Sequence, residues 1–325
     1  MVYKLDAGTV IDAEGNLVIE NLYAGSITQI TQAQGTVSGF TTGGDPGYLN
    51  TIDTFPFAAD AGATDAGDLS AGTISAAGQS SSENGYISGG ITSPPYTITN
   101  KIEKFPFAIS GGTATDIADM TLIRQAHQGH SSSSNGYSSG GVAPPLTPSN
   151  RLEIDKFPFS TDANATDVGD MITQKNSRSD HSSETHGYAA GGGLTVDNAI
   201  EKFSFAIDAN ATDVGDLTQS RRSLTGQSSS THGYSSGGDT PNSNVIDKFS
   251  FSSDGNATDV GDLTQARLAA AGQSAIDNGY TSGGYSSPPF STKNTIDKFP
   301  FSTDANATDV GDLSQARYSA AGQQV

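Results

Sequence analysis

Apolar and polar positions alternate in short runs along most of this chain, and no run of useful length keeps a helical spacing. The segment NTIDKFPF is typical, with Asp297, Phe299 and Phe301 on one face and Ile296, Lys298 and Pro300 on the other. Alternation of this kind predicts a strand. Ahead of it lies a second strand candidate, short, Ser/Thr-rich and holding one Tyr or Phe, that ends in a double glycine. Breakers separate the candidates. Asn-Gly occurs at Asn84, Asn135 and Asn278, and His-Gly at His186 and His232. Such pairs predict tight hairpin turns whose central residues take positive φ. The stretch DANATDVGD supplies a further turn.

These elements recur in step. The motif Phe-Pro/Ser-Phe begins at Phe55, Phe105, Phe157, Phe203, Phe249 and Phe299, at intervals of 50, 52, 46, 46 and 50 residues. Gly-aromatic-x-x-Gly-Gly begins at Gly39, Gly85, Gly136, Gly187, Gly233 and Gly279. An Asp followed by Leu or Met closes the next segment at Asp68, Asp119, Asp170, Asp216, Asp262 and Asp312. Gln79, His130, His181, Gln227, Gln273 and Gln323 mark the end of each cycle. Each cycle therefore predicts about four short strands, a sheet too small to bury both its faces alone, so neighbours must stack. The first cycle starts in mid-unit at GFTTGG and the last stops in mid-unit at DLSQARYSAAGQQV. Paired side by side, the two ends complete one unit, as a closed ring requires, and closure removes exposed sheet edges. The expectation is an all-β, six-bladed propeller over residues 36–325, preceded by a β arm over residues 1–35.

Composition narrows the chemistry. The 325 residues hold 35 Asp+Glu against 16 Lys+Arg, a net charge of −19, with no Cys and no Trp. The absence of cysteine excludes disulfides, thiolate zinc sites and iron–sulfur clusters. The negative balance argues against nucleic acid, whose phosphates demand clustered Lys and Arg. No apolar stretch approaches the ~18–20 residues of a membrane helix. The first 25 residues lack an apolar core and do not read as an ordinary secretory signal.

Units of the form GYTSGG…TIDKFPFSTDANATDVGDLTQAR…AGQ resemble kelch-type repeats. Arg124, Arg221, Arg267 and Arg317 match that family's arginine, with Lys175 and Thr73 at the corresponding places in two other units. His130 and His181 match its histidine, and Gln replaces it elsewhere. The departure is the missing Trp. The wording KFPF…ATDVGDL…GYSSGG is also similar to propeller proteins of bacteriophage particles, marine phages especially. The resemblance implies a virion protein, and a propeller says little about activity by itself. Copper oxidases on kelch propellers use a cysteine-modified tyrosine, and sialidase-type propellers carry Trp-bearing repeats. Neither residue is present here, so an enzyme is not expected.

Several residues remain as candidates. Asp162, Asn164, Asp167 and Asp170 place side-chain oxygens at short spacing, which suits Ca²⁺ or equally a turn whose side chains cap their own backbone. No other cofactor is expected. His186 and His232 stand in turn positions, and His130 and His181 near a channel or an interface between units. The loops between the double glycine and the Phe strand vary most. ITSPPYTITN, VAPPLTPSN and YSSPPFSTKN expose Tyr96, Leu146, Tyr285 and Phe290 as apolar tips, and variable insertions of this kind cluster on one face of a repeat array. The competing reading is that these side chains pack against adjacent loops or the N-terminal arm.

GTVIDAEGNLVIENLYAG, outside the repeat, reads as a hairpin of Thr9–Asp12 and Asn16–Ile19 turning at Glu14-Gly15. The combined expectation is a non-enzymatic virion protein, a phage tail-fibre or surface-appendage propeller. It would be tethered to other virion proteins by this arm and would adhere to a host-surface receptor or glycan. It would use neither nucleic acid nor membrane insertion, with a homo-oligomer left open. The rivals are a capsid or tail decoration protein without ligand and a metal-dependent enzyme on the propeller.

Overall fold

The computed structural model describes residues 9–11, 17–19, 34–193 and 195–325, and every regular element among them is a β-strand. The chain divides into two units, Met1–Ile30 and Thr31–Val325. In the first, Thr9–Ile11 and Leu17–Ile19 pair antiparallel, with Thr9 opposite Ile19. The expected turn at Glu14-Gly15 lies outside the described residues.

The second unit is propeller-like, built from small antiparallel sheets. Among the described residues, five sheets have four strands and one has five. The first sheet runs Gly112–Thr113, Thr64–Asp68, Thr51–Pro56, Ser38–Thr42 and Ala321–Gln324. Its strand Ala321–Gln324 pairs antiparallel with Ser38–Thr42, with Thr42 opposite Ala321 and Phe40 opposite Gln323. The second sheet runs Ala77–Ser80, Asn84–Ser88, Lys101–Pro106 and Thr115–Asp119, and the other four repeat that order. Their innermost strands are Gln128–Ser131, Ser179–Ser182, Thr225–Ser228 and Ala271–Ser274.

The in-step recurrence of the glycine and phenylalanine motifs has a simple cause. Gly85 and Phe105 are cross-strand partners, and so are Gly279 and Phe299. A Cβ on Gly85 would meet the Phe105 ring at 2.3 Å. The glycine is therefore a seat for the ring. This differs from the expected Asn-Gly turn, because neither Asn84 nor Gly85 takes positive φ. Asn84 instead opens a strand, and the turn before it is closed by Ser81 N–H donating to Asn84 O at 2.9 Å. The alternation in the Phe strand also means something other than core against solvent. Ile296, Asp297 and Phe299 are all buried, because sheets cover both faces.

Stacking is aromatic at every joint. Tyr86 of the second sheet lies 5.7 Å from Phe157 and 4.8 Å from Phe159 of the third. Phe40 meets Phe105 and Phe107 of the second sheet, and Tyr280 of the sixth meets Phe55 and Phe57 of the first. Tilted rings at such spacing add about 0.5–1.5 kcal/mol per pair beyond the area they bury.

Ionic ties follow the same joints. Arg124, Arg221, Arg267 and Arg317 are fully buried and pair with Asp155, Asp247, Asp297 and Asp53 of the following sheet, counting the first as following the sixth. Glu201 takes that place in the fourth sheet, paired with Arg178 at 3.1 Å. Lys156 reaches Asp208, Lys202 reaches Asp254, and Lys298 reaches Asp60. The joint of first and second sheets departs from this, with Thr54 and Ser110 in the Lys and Asp places. There Gly112–Thr113 adds a parallel strand beside Gly67–Asp68 instead.

The inner strands surround a cavity of about 150 Å³. The residue two positions ahead of each inner strand stands in the left-handed region: Ser75, Ala126, Ser177, Ser223, Ala269 and Ser319, with φ between 50° and 56°. Ser75 N–H donates to Ser319 O, Ser319 to Ala269, Ala269 to Ser223, Ser223 to Ser177, Ser177 to Ala126, and Ala126 to Ser75. The donors and acceptors are thus the same residues, and the series returns to its start. Non-glycine residues in this region are uncommon, and the hydrogen bonds offset the strain.

Candidate functional site

Tyr96 and Phe290 sit at the tips of small hairpins raised by Ser-Pro-Pro. One is formed by Ile91–Ser93 and Thr97–Ile98, the other by Tyr285–Ser286 and Ser291–Thr292. Proline fixes φ and cannot donate to a ladder, so each Pro-Pro ends the pairing and throws the next side chain outward. Tyr96 is 75% exposed and Phe290 62%, whereas the rings at the sheet joints are mostly buried. Tyr285 is at the base of its hairpin and is half-buried, because Tyr318 packs against it. Leu146 is 40% exposed on the loop of the third sheet.

Two further aromatics complete the picture. Tyr48 packs edge-on against Tyr96 at 5.1 Å. Tyr318 contacts Tyr285 at 4.8 Å and Phe290 at 5.9 Å, and Tyr285 contacts Phe290 at 5.0 Å. Asp45 joins the two groups. Its Oδ2 accepts the Tyr318 hydroxyl at 2.6 Å, its Oδ1 accepts Gly47 N–H at 2.6 Å, and its backbone pairs with Tyr318. The result is a band of five rings and one carboxylate from loops of the sixth, first and second sheets. Hydrogen bonding to Asp45, then burial, pushes the Tyr318 phenol up to about 12. Burial, then hydrogen bonding with Tyr96, does the same to Tyr48. Both keep their protons at ordinary pH.

Sequence reasoning named Tyr96, Tyr285 and Phe290 but missed Tyr48, Tyr318 and Asp45. One signal for Tyr318 was available. It follows Arg317 at a position that is Gln125, Arg222 or Leu268 after the other repeat arginines.

The acidic turns have structural partners. Asp162 pairs with Lys104 of the preceding sheet. Asn164 Oδ1 accepts Asp119 N–H of that sheet at 3.1 Å, and Asp167 Oδ1 accepts Gly169 N–H at 3.2 Å. Burial, then Asp167 and Glu153, holds the Asp170 carboxyl above its ordinary value. Among the described residues no three His, Asp or Glu side chains gather as a metal-holding group. His130 and His181 lie at sheet joints. Their Nδ1 atoms stand 3.1 Å from His181 O and Gln227 O, and burial lowers their pKa values to about 3 and about 4.

Arg178 and Asp180 both line the axial cavity, and Asp180 stands in a series otherwise made of glycine. Asp180 occupies the place of Gly78, Gly129, Gly226, Gly272 and Gly322. Burial raises its carboxyl from 3.8 to about 7, against hydrogen bonding by the Asp180 and Gly129 backbones. Folding therefore retains a proton that the unfolded chain releases between pH 3.8 and about 7, so stability falls as pH rises through that window. Asp180→Asn is expected to be more stable than the native chain at pH 8 by about 2–4 kcal/mol, from ~1.4 kcal/mol per pH unit. The gain should vanish near pH 4 in urea titrations. A gain that does not change with pH would contradict this.

No protein-family model matches the chain, and no curated protein matches it.

Proposed function

We propose that residues 36–325 form a closed six-bladed, kelch-like propeller that is not an enzyme and acts as an adhesin on a virus particle. It would serve in a tail fibre or surface appendage and bind glycan on a host surface. The closed wheel is supported by the returning series of hydrogen bonds from Ser75 to Ser319 and by the pairing of Ser38–Thr42 with Ala321–Gln324. Placement on a phage particle, and tethering to other virion proteins through residues 1–35, rest on the resemblance of the repeat wording and on the position of that segment outside the repeat.

The observation that carries the binding role is the aromatic band on the loop face. Apolar rings left exposed together on a soluble surface mark an interaction site. Tyr and Phe on stiff Pro-Pro hairpins lose little entropy on binding. Leu146 is a further exposed apolar tip on the corresponding loop of the third sheet. The net charge of −19 opposes self-association through this face.

The test is binding of the purified full chain to whole bacterial cells and to polysaccharide extracted from their envelopes. Saturable binding that periodate oxidation of the polysaccharide abolishes is expected. Absence of binding across a broad strain panel would overturn the adhesin in favour of a decoration protein without ligand.

A further inference from the structure

We infer that the aromatic band takes a neutral oligosaccharide, several pyranose units long, whose C–H faces lie on two separate ring platforms and whose hydroxyls meet Asp45 between them. This rests on the adhesin reading and deepens it by naming the ligand class and its footing.

The packing of the rings selects the ligand. Tyr285, Phe290 and Tyr318 stand with centroids 4.8–5.9 Å apart, in contact with one another. They enclose no space for a quaternary ammonium group, which needs rings held apart around it. What they present is a surface. A pyranose with equatorial hydroxyls has the matching shape, flat and apolar on its faces and polar around its edge. The second platform is the exposed ring of Tyr96, which meets Tyr48 edge to face at 5.1 Å.

The groups between the platforms suit the edge of a sugar. Asp45 accepts one hydrogen bond at each oxygen, from Gly47 N–H and the Tyr318 hydroxyl. An ionised carboxylate has about four lone-pair sites, so it retains capacity for ligand hydroxyls. Its geometry is fixed in advance by those two donors and by the Tyr318 backbone pairing.

Charge sets the sign of the ligand. The band carries Asp45, and beyond Tyr285 stands Asp239, whose partner Arg222 is 3.5 Å away. Lys293 at the foot of the Phe290 hairpin donates to Ser291, and Arg222 is paired with Asp239. Within a chain of net charge −19, this surface therefore offers, among the described residues, no free cluster of Lys and Arg to hold sulfated or uronate-rich polymers. Two platforms on either side of one acid require a ligand longer than a single ring.

Titration calorimetry on the full chain tests this with cellohexaose, laminarihexaose and a β-galactan hexamer as neutral probes, cellobiose as the short probe and heparin hexasaccharide as the anionic one. At least one neutral hexamer should bind, more tightly than cellobiose and than heparin. Tyr96→Ala and Phe290→Ala should each weaken it at least tenfold with an unchanged melting temperature. Ile207→Ala, an exposed apolar side chain on another turn, should leave it within twofold. Preference for heparin, or neutral binding indifferent to both Tyr96→Ala and Phe290→Ala, would overturn the inference. So would failure of every neutral hexamer while the chain still binds cells, and in that case the adhesin reading survives. Loss of cell binding as well would remove both.

Discussion

Replacing Asp53 with alanine is expected to cost about 3–5 kcal/mol, because it strands a buried guanidinium. Asp53 and Arg317 are both fully buried and meet at 3.0 Å. The carboxylate also accepts Ser314 N–H at 2.9 Å and the Ser314 hydroxyl at 2.7 Å. Arg317 donates to Gly43 O and Thr51 O at 3.2 and 3.3 Å. Burial already holds the Arg317 pKa below its ordinary value, while Asp53 opposes that shift. Without Asp53 the buried guanidinium loses its paired carboxylate and is left with only the weaker field of Asp65. The double variant Asp53→Leu, Arg317→Met should recover much of the loss, since a buried pair replaced by apolar groups of similar size is often neutral. Urea unfolding of the native chain, Asp53→Leu, Arg317→Met and the double variant gives the coupling directly. Additive losses would show that the pair does not act as a unit. The position matters as much as the size, because Asp53 and Arg317 lie 264 residues apart and tie the last repeat to the first.

Much of the architecture was legible because the repeat encodes contacts between residues far apart in sequence. Gly85 and Phe105 recur together because one seats the other. Tyr86 and the Phe157, Phe159 pair recur because they stack across a joint. The Asn-Gly turn was misread because the same dipeptide serves a local turn elsewhere, while here the glycine answers to a ring on the neighbouring strand. The alternation marked Thr295–Pro300 as a strand, but it did not show that Ile296 and Asp297 are both covered, by different neighbours. Periodicity alone does not say that an acid on the second face has a buried arginine waiting for it.

The band was half legible for a related reason. Tyr96 and Phe290 stand out because Pro-Pro loops interrupt the repeat. Tyr48, Asp45 and Tyr318 do not, since they reach the band only when loops from different sheets come together. Asp180 was visible as the single departure from glycine at its register, but the register itself needed the inner strands to be placed.

The central claim is that the two ends of the repeat belong to one sheet, and a cysteine pair tests it most directly. Thr42 and Ala321 are opposite partners, and opposite residues in an antiparallel pair sit about 4.5–5.5 Å apart at Cα, within disulfide reach. The chain has no native Cys, so Thr42→Cys with Ala321→Cys can form only one bridge within a molecule. Under mild oxidation the double variant should run as a monomer with no free thiol, and closing so long a loop should raise its stability by up to about 5 kcal/mol. Thiols that stay free, or bridges found only between molecules, would contradict the closed wheel.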